Sequence, residues 1–259
     1  VWVPREDQEA VLAFLKGRGK AAVWAPTGAG KTAIAAHWAD EHLNDRFSVG
    51  RLLIVAPKLV AGSVWAAAAG GWEHLRRVVR GARLLTAADF GLSTKALVTG
   101  DADEWVAWLR DLDPVTKAFC QVKLGGLGFA DKRATKKHLQ SLRERVHIVS
   151  WDFFPWLAEA YGTNWPYQGV IFDESSFLRD QGSGRSVAAR RCVHKRGMSH
   201  VLQLGASPND NADEAVYAQL DLLQRGVLGD TLTDFRDTFC VPDTKDWSTG
   251  RVYRWKVAA

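Results

Sequence analysis

The sequence predicts an α/β fold, a mostly parallel sheet with helices on both faces. Two observations carry this. Five short runs are apolar almost throughout: KAAVWA (20–25), RLLIVA (51–56), VHIVS (146–150), GVIFD (169–173) and HVLQLG (200–205). Helix-like stretches at about 6–16, 31–43, 61–78, 104–111, 132–144, 152–160, 185–195 and 211–224 fill the gaps between them. Continuous apolar strands that alternate with helices build a parallel sheet covered on both sides, with right-handed crossovers.

In chain order, the first run ends in APTGAGKT (25–32). A buried strand, a glycine-containing turn and a helix starting near Lys31 aim successive N–H groups and the positive helix end at a phosphate. Gly28 and Gly30 allow close backbone approach. Lys31 would reach the β- and γ-phosphates of a nucleotide and the Thr32 hydroxyl would ligate Mg²⁺. The glycine that usually opens such a loop is replaced by Ala25. The second run leads through Pro57 and Lys58 into a helix.

Residues 87–145 match no regular pattern as a whole and are read as an insertion or an elaborated connection. They hold an acidic stretch, TGDADEWVAWLRDLDP, a glycine cluster at 125–128 and the basic run DKRATKKHLQSLRER. A solvated helix face is the commoner explanation of such a run, a nucleic-acid contact the alternative. The fourth run ends in Asp173 and Glu174. Opposite a phosphate loop, Asp173 would hold the metal, and Glu174 would orient or deprotonate the attacking water. The fifth run leads into a Ser-Pro-Asn turn at 207–209, which taken alone is an ordinary loop start.

Composition sets limits. In 259 residues, 47% hydrophobic and 24% charged, there is material for one large α/β domain or two small ones. No run approaches the roughly 18 apolar residues of a membrane helix, and VWVPREDQ at the start lacks signal-peptide character. Cys120, Cys192 and Cys240 are far apart and fit neither a disulfide framework nor a zinc site. They suit reduced thiols in a cytosolic protein. The net charge of +5 is compatible with an anionic partner. Most of the 12 tryptophans should be core or interface anchors.

The motifs, in this order, resemble the first RecA-like P-loop NTPase lobe of a superfamily 2 helicase or translocase, in pattern nearest the Snf-type and phage DEAD/DEAH-like branch. APTGAGKT is similar to that group's phosphate loop, in which alanine commonly stands first. LLIVAPKLVAGSVW (52–65) resembles motif Ia, with Trp65 eight residues after Pro57, and VHIVSWDFFPWL (146–157) resembles the following strand and helix. VIFDESSFLRD resembles motif II, LGASPNDNADEAVYAQLDLL motif III with its helix, and TLTDFRDTFC (231–240) the Phe-rich segment beyond. The resemblance covers about residues 5–240, apart from 87–145. It departs from the family in DESS for DEAH or DEAD, and in Gly205-Ala206-Ser207 for Thr-Gly-Thr.

The resemblance implies a lobe over 1–240, followed by a tail (241–259) leading to a second RecA-like lobe in the same longer chain. It implies ATP and Mg²⁺ as cofactors, bound by Gln8, Pro26, Thr27, Gly28, Ala29, Gly30, Lys31 and Thr32, with Thr32 and Asp173 on the metal. Lys31, Asp173 and Glu174 would be catalytic. Lys58, Ser150, Trp151 and Asn209 would meet nucleic acid, DNA duplex rather than RNA, and Ser207 would couple the two sites. The implied activity is an ATP-dependent DNA helicase or translocase motor, weak without the second lobe and its arginine fingers. A motor part of a restriction or remodelling complex, and a nucleotide-gated lobe without productive hydrolysis, are the alternatives.

Overall fold

In the computed structural model, which describes residues 2–66, 82–86, 141–208, 215–245, 249 and 252–258, six strands form one sheet. They are β1 (Lys20–Trp24), β2 (Leu52–Ala56), β3 (Arg83–Leu85), β4 (Val146–Ser150), β5 (Gly169–Phe172) and β6 (His200–Gly205). Their spatial order is β1–β6–β5–β2–β4–β3 and every pairing is parallel. Five strands coincide with the apolar runs. The sixth, β3, has three residues and among the described strands pairs with β4 alone, too short for the sequence pattern to reveal.

Alternate residues of each strand go to opposite faces. Leu53, Val55, Val149, Val170, Phe172 and Val201 join one core layer. Leu52, Ile54, Ile148, Ile171, Leu202 and Leu204 join the other. The second layer is covered by α1 (Glu6–Leu15), α2 (Lys31–Asp40) and the short α3 (Lys58–Val60). α2 buries Ala33, Ile34, Ala35, Ala36, Trp38 and Ala39, and this run of small residues lets it lie close against its neighbours. The first layer is covered by α4 (Phe154–Tyr161), α5 (Gly184–Arg190) and α6 (Ala215–Leu223). α2, α3 and α5 each run on into a π-helical turn, at Glu41–Asp45, Ala61–Ala66 and Arg191–Lys195. Trp38, Trp65, Trp151 and Trp156 are fully buried, as expected of core anchors.

Beyond the sheet lies a unit that the sequence pattern did not reveal. Helix α7 (Leu232–Phe239) opens on a capping box between Thr231 and Asp234, and its Phe235 packs on Tyr217 of α6. It leads into an antiparallel pair, β7 (Cys240–Lys245) and β8 (Val252–Val257). The described strands of the segment expected as a tail thus form an antiparallel ribbon. The pairing shifts register at Pro242/Thr244 and Thr244/Lys245, and Arg236 of α7 lies over the Trp255 ring. The helices expected at 104–111 and 132–144, and most of the segment 87–145, lie outside the described residues. Its end is docked: Arg51 donates to the Leu142 carbonyl (2.8 Å) and Arg145 to that of Leu43 (2.7 Å).

His200, at the start of β6, lies against His42 with ring centroids 4.4 Å apart. Burial, and secondarily the His42 charge, lower its pKa from 6.5 to about 4. The unfolded chain therefore takes up this proton first on acidification. The stability tied to a neutral His200 is whole above pH 6.5 and declines as pH falls from there toward 4. Burial pulls His42, His147 and His194 in the same direction. The melting temperature should fall across this window, and His200→Gln should make the fall shallower.

Candidate nucleotide site

Because the six strands are parallel, their carboxyl ends share one edge, where ligands bind in open α/β sheets. The loop after β1 begins with the Ala25 amide donating to the Gly205 carbonyl (3.0 Å), then turns tightly through Ala29 N–H to Pro26 O (3.2 Å). Gly28 and Gly30 both have φ of +83°, a region costly for any other residue type. Gly30 caps α2, and no side chain caps that helix. The first-turn amides of α2 and its positive dipole end thus face out of the loop, as anion binding requires.

Gln8 braces the loop from behind. Its side chain is 3% exposed, donates to the Ala29 carbonyl (2.9 Å) and accepts from the Arg5 amide (3.0 Å). A methyl on Gly30 would run into the Gln8 side-chain nitrogen. Both ends of the Gln8 amide are therefore bonded within the protein. Lys31 donates to the carbonyls of Ala25 (2.7 Å) and Pro26 (3.1 Å), and Thr32 follows it in the first turn of α2.

Two strands away, β5 ends in Asp173, 6% exposed. Its Oδ2 accepts from the Trp65 indole (2.8 Å) and its Oδ1 from the Glu174 amide (3.1 Å). Its backbone N–H donates to Val55 O (2.8 Å), and its carbonyl accepts from the Trp151 indole (2.8 Å). Burial raises the carboxyl pKa above the ordinary carboxylate value, the Trp65 bond opposes this, the Glu174 charge adds to it and the Lys31 charge opposes it. Glu174 itself has φ +55° and ψ 61°. For a residue with a Cβ this conformation costs about 1–2 kcal/mol.

The residue types fit a nucleotide-held Mg²⁺. A buried carboxylate, a threonine hydroxyl and a phosphate loop suit a small hard cation that keeps most of its shell from water and phosphate. Among the described residues no cluster of three or more His, Cys, Asp or Glu forms an all-protein metal cage.

Next to this centre is a buried polar bridge absent from the sequence reading. The Ser175 hydroxyl donates to Gln219 Oε1 (2.8 Å), and Gln219 Nε2 donates to the Pro208 carbonyl (2.7 Å). Gln203 on β6 donates to the Gln219 carbonyl (2.9 Å). The turn after β5 and the turn after β6, which carries Ser207, are thereby joined through α6.

Of the residues expected to meet nucleic acid, Lys58 is exposed at the start of α3. Ser150 accepts from the Phe153 amide and stays partly exposed. Trp151 is a correction. It is 1% exposed, stacks on Phe172 and Phe177, and its N–H is taken by Asp173, so no face of it is open to a ligand. Its neighbour Asp152 is paired with Arg185 (2.5 Å). Asn209 lies outside the described residues. Trp65 and Gln219 are the contributors that sequence reasoning missed. Trp65 had a signal in its fixed distance from Pro57, whereas Gln219 is one polar residue on a helix and had none.

With the all-parallel sheet, the helices on both faces and the glycine-turned loop at its carboxyl edge, the chain has a RecA-like α/β fold. Over 92% of its length it superposes on the Sulfolobus solfataricus SWI2/SNF2 ATPase core in complex with dsDNA, with TM-score 0.54 and 10% identity. It also aligns with the UvsW helicase from bacteriophage T4 over 84% of its length, with TM-score 0.48 and 14% identity. In sequence it is 23% identical over 239 residues to putative protein p41 of Acyrthosiphon pisum secondary endosymbiont phage 1, covering 90% of this chain. No family model matches the chain. The chain spans 42% of the phage relative, 39% of the Sulfolobus core and 57% of UvsW. No helix among the described residues is long and apolar enough to cross a membrane.

Removing the Gln219 amide leaves Ser175 and the Pro208 carbonyl without their buried partner. Gln219→Leu should cost about 1–3 kcal/mol in urea unfolding. Ser175→Ala combined with it should add less than the sum of the two single changes.

Proposed function

We propose that this chain is the ATP-binding lobe of an ATP-dependent DNA helicase or translocase. One observation carries the reading: the uncapped, glycine-turned start of α2 with Lys31 shares the sheet's carboxyl edge with the Asp173–Glu174 pair. In this reading the amides of residues 28–32 and the helix dipole bind the triphosphate. Lys31 exchanges the carbonyls of Ala25 and Pro26 for phosphate oxygens. Thr32 and Asp173 hold Mg²⁺, which neutralises charge on the phosphates, and Glu174 orients the attacking water and accepts its proton. For Gln8 to read adenine it must release one of its two backbone partners.

Duplex DNA is the proposed polymer, supported by the dsDNA in the Sulfolobus complex. Lys58, Ser150 and Ser207 lie on or beside the same carboxyl edge and, together with Asn209, would track the phosphate backbone. Such contacts are tolerant of sequence and sensitive to salt. A second RecA-like lobe elsewhere in a longer product would supply the arginine finger. Such a finger contributes roughly 10³-fold or more to turnover. The expected setting is the cytoplasm of a bacterial or phage-infected cell.

Titration with a fluorescent ATP analogue and Mg²⁺ tests the site. Lys31→Ala should abolish binding, while Glu174→Gln should keep binding and remove the DNA-stimulated turnover of the two-lobe product. Retention of that turnover by both variants would refute the assignment. DNA affinity should fall linearly on a log–log plot against salt, and a flat plot would remove the nucleic-acid part of the reading.

A further inference from the structure

Two indoles converge on Asp173, and they come from the segments after β2 and β4. Trp151 follows β4 directly and holds the Asp173 carbonyl. Trp65 lies on the π-helical turn Ala61–Ala66, which continues α3 from exposed Lys58. Trp65 is 0% exposed, and its N–H reaches Asp173 Oδ2 across 108 residues of sequence. With Oδ1 accepting the Glu174 amide, the carboxylate is held at both oxygens. Rotation about its terminal torsion would break both bonds.

We propose that Trp65 is a positioning residue. Its indole N–H fixes the Asp173 carboxylate for metal-bound nucleotide and mechanically ties the Lys58 segment to that carboxylate. The bond is the single polar link described between the turn Ala61–Ala66 and the aspartate. A shift of α3 on contact with a phosphate backbone is therefore transmitted to the metal-facing group. In the other direction, metal bound at Asp173 favours one placement of Lys58. The inference rests on the nucleotide reading of the site. It adds a residue, and a route of communication, that the phosphate loop and the acidic pair do not contain.

Trp65→Phe deletes the donor and retains an aromatic ring. Partners that orient a metal-ligating group typically contribute 10–100-fold to metal affinity. The variant should bind metal-free nucleotide like the wild type, yet need about tenfold more Mn²⁺ to saturate the metal–nucleotide complex, followed by electron paramagnetic resonance. Duplex DNA should shift the wild-type Mn²⁺ titration and leave that of Trp65→Phe unmoved. Superimposable Mn²⁺ curves for the two proteins would overturn the proposal.

A second measurement needs no ligand. In thermal unfolding of the nucleotide-free protein, Trp65→Phe and Asp173→Ala should be non-additive, because each removes the same bond. Additive losses would overturn the bond itself. Non-additive losses together with a wild-type protein that binds no Mn²⁺–nucleotide would instead sink the nucleotide reading, and this role of Trp65 with it.

Discussion

Asp173 is a carboxylate withdrawn from water at the end of a central strand, and much of the surrounding architecture answers the cost of that withdrawal. A buried charge without partners is penalised by several kcal/mol even after relaxation. Here one oxygen meets an indole N–H and the other a backbone N–H, while the residue's own amide and carbonyl are bonded to β2 and Trp151. Indoles suit the task. Each delivers a single donor from a large apolar body, so the donor can be placed deep in the core without bringing a second polar atom that needs satisfying. Part of the tryptophan content is thus explained as ligation of the site by core residues.

Strain and close approach cluster at the same edge. Gly28 and Gly30 take positive φ on the loop, and Glu174 takes it beside the buried aspartate despite having a side chain. Such conformations persist only where the surroundings determine them. For Gly30 that surrounding is Gln8, whose amide occupies the space a methyl would need. For Glu174 it is the pairing of the preceding strand on one side and the buried Ser175–Gln219 bond on the other. The backbone therefore sets the direction in which the Glu174 side chain leaves the chain.

How far this was legible follows from where the information sits. Strands buried on both faces write themselves as apolar runs, so β1, β2, β4, β5 and β6 were readable to within about a residue. Strand β3, with three residues, writes no such run. The ribbon β7–β8 has mixed polarity, and Val241 and Val257 stay exposed, so its sequence resembles a loop. The glycine turn at 28–30 and the position of Asp173 directly after β5 were legible because local order dictates them. The partners of Asp173 were not, because a bond spanning 108 residues depends on tertiary packing. Trp151 was misassigned for the same reason: an aromatic after a strand end is a stacking surface in sequence and a core donor in space.

Two of the positions at which the sequence departs from the motifs it resembles, 175 and 205, meet in one contact. At 205 glycine stands where threonine is usual, and at 175 serine stands in the place of the alanine of DEAD or DEAH. A Cβ at Gly205 would come within 3.1 Å of Ser175 Oγ and 3.3 Å of Trp24 Cδ1. The hydroxyl of Ser175 thus occupies the space that a side chain on β6 would fill. A hydroxyl is missing from one strand end and present on its neighbour, where it bonds Gln219 and, through it, the Pro208 carbonyl. The Ser175 hydroxyl thereby connects the segment after β5 to the turn after β6. Threonine at 205 with Ser175 unchanged would force two polar side chains into one site, so neither departure is readily reversed alone.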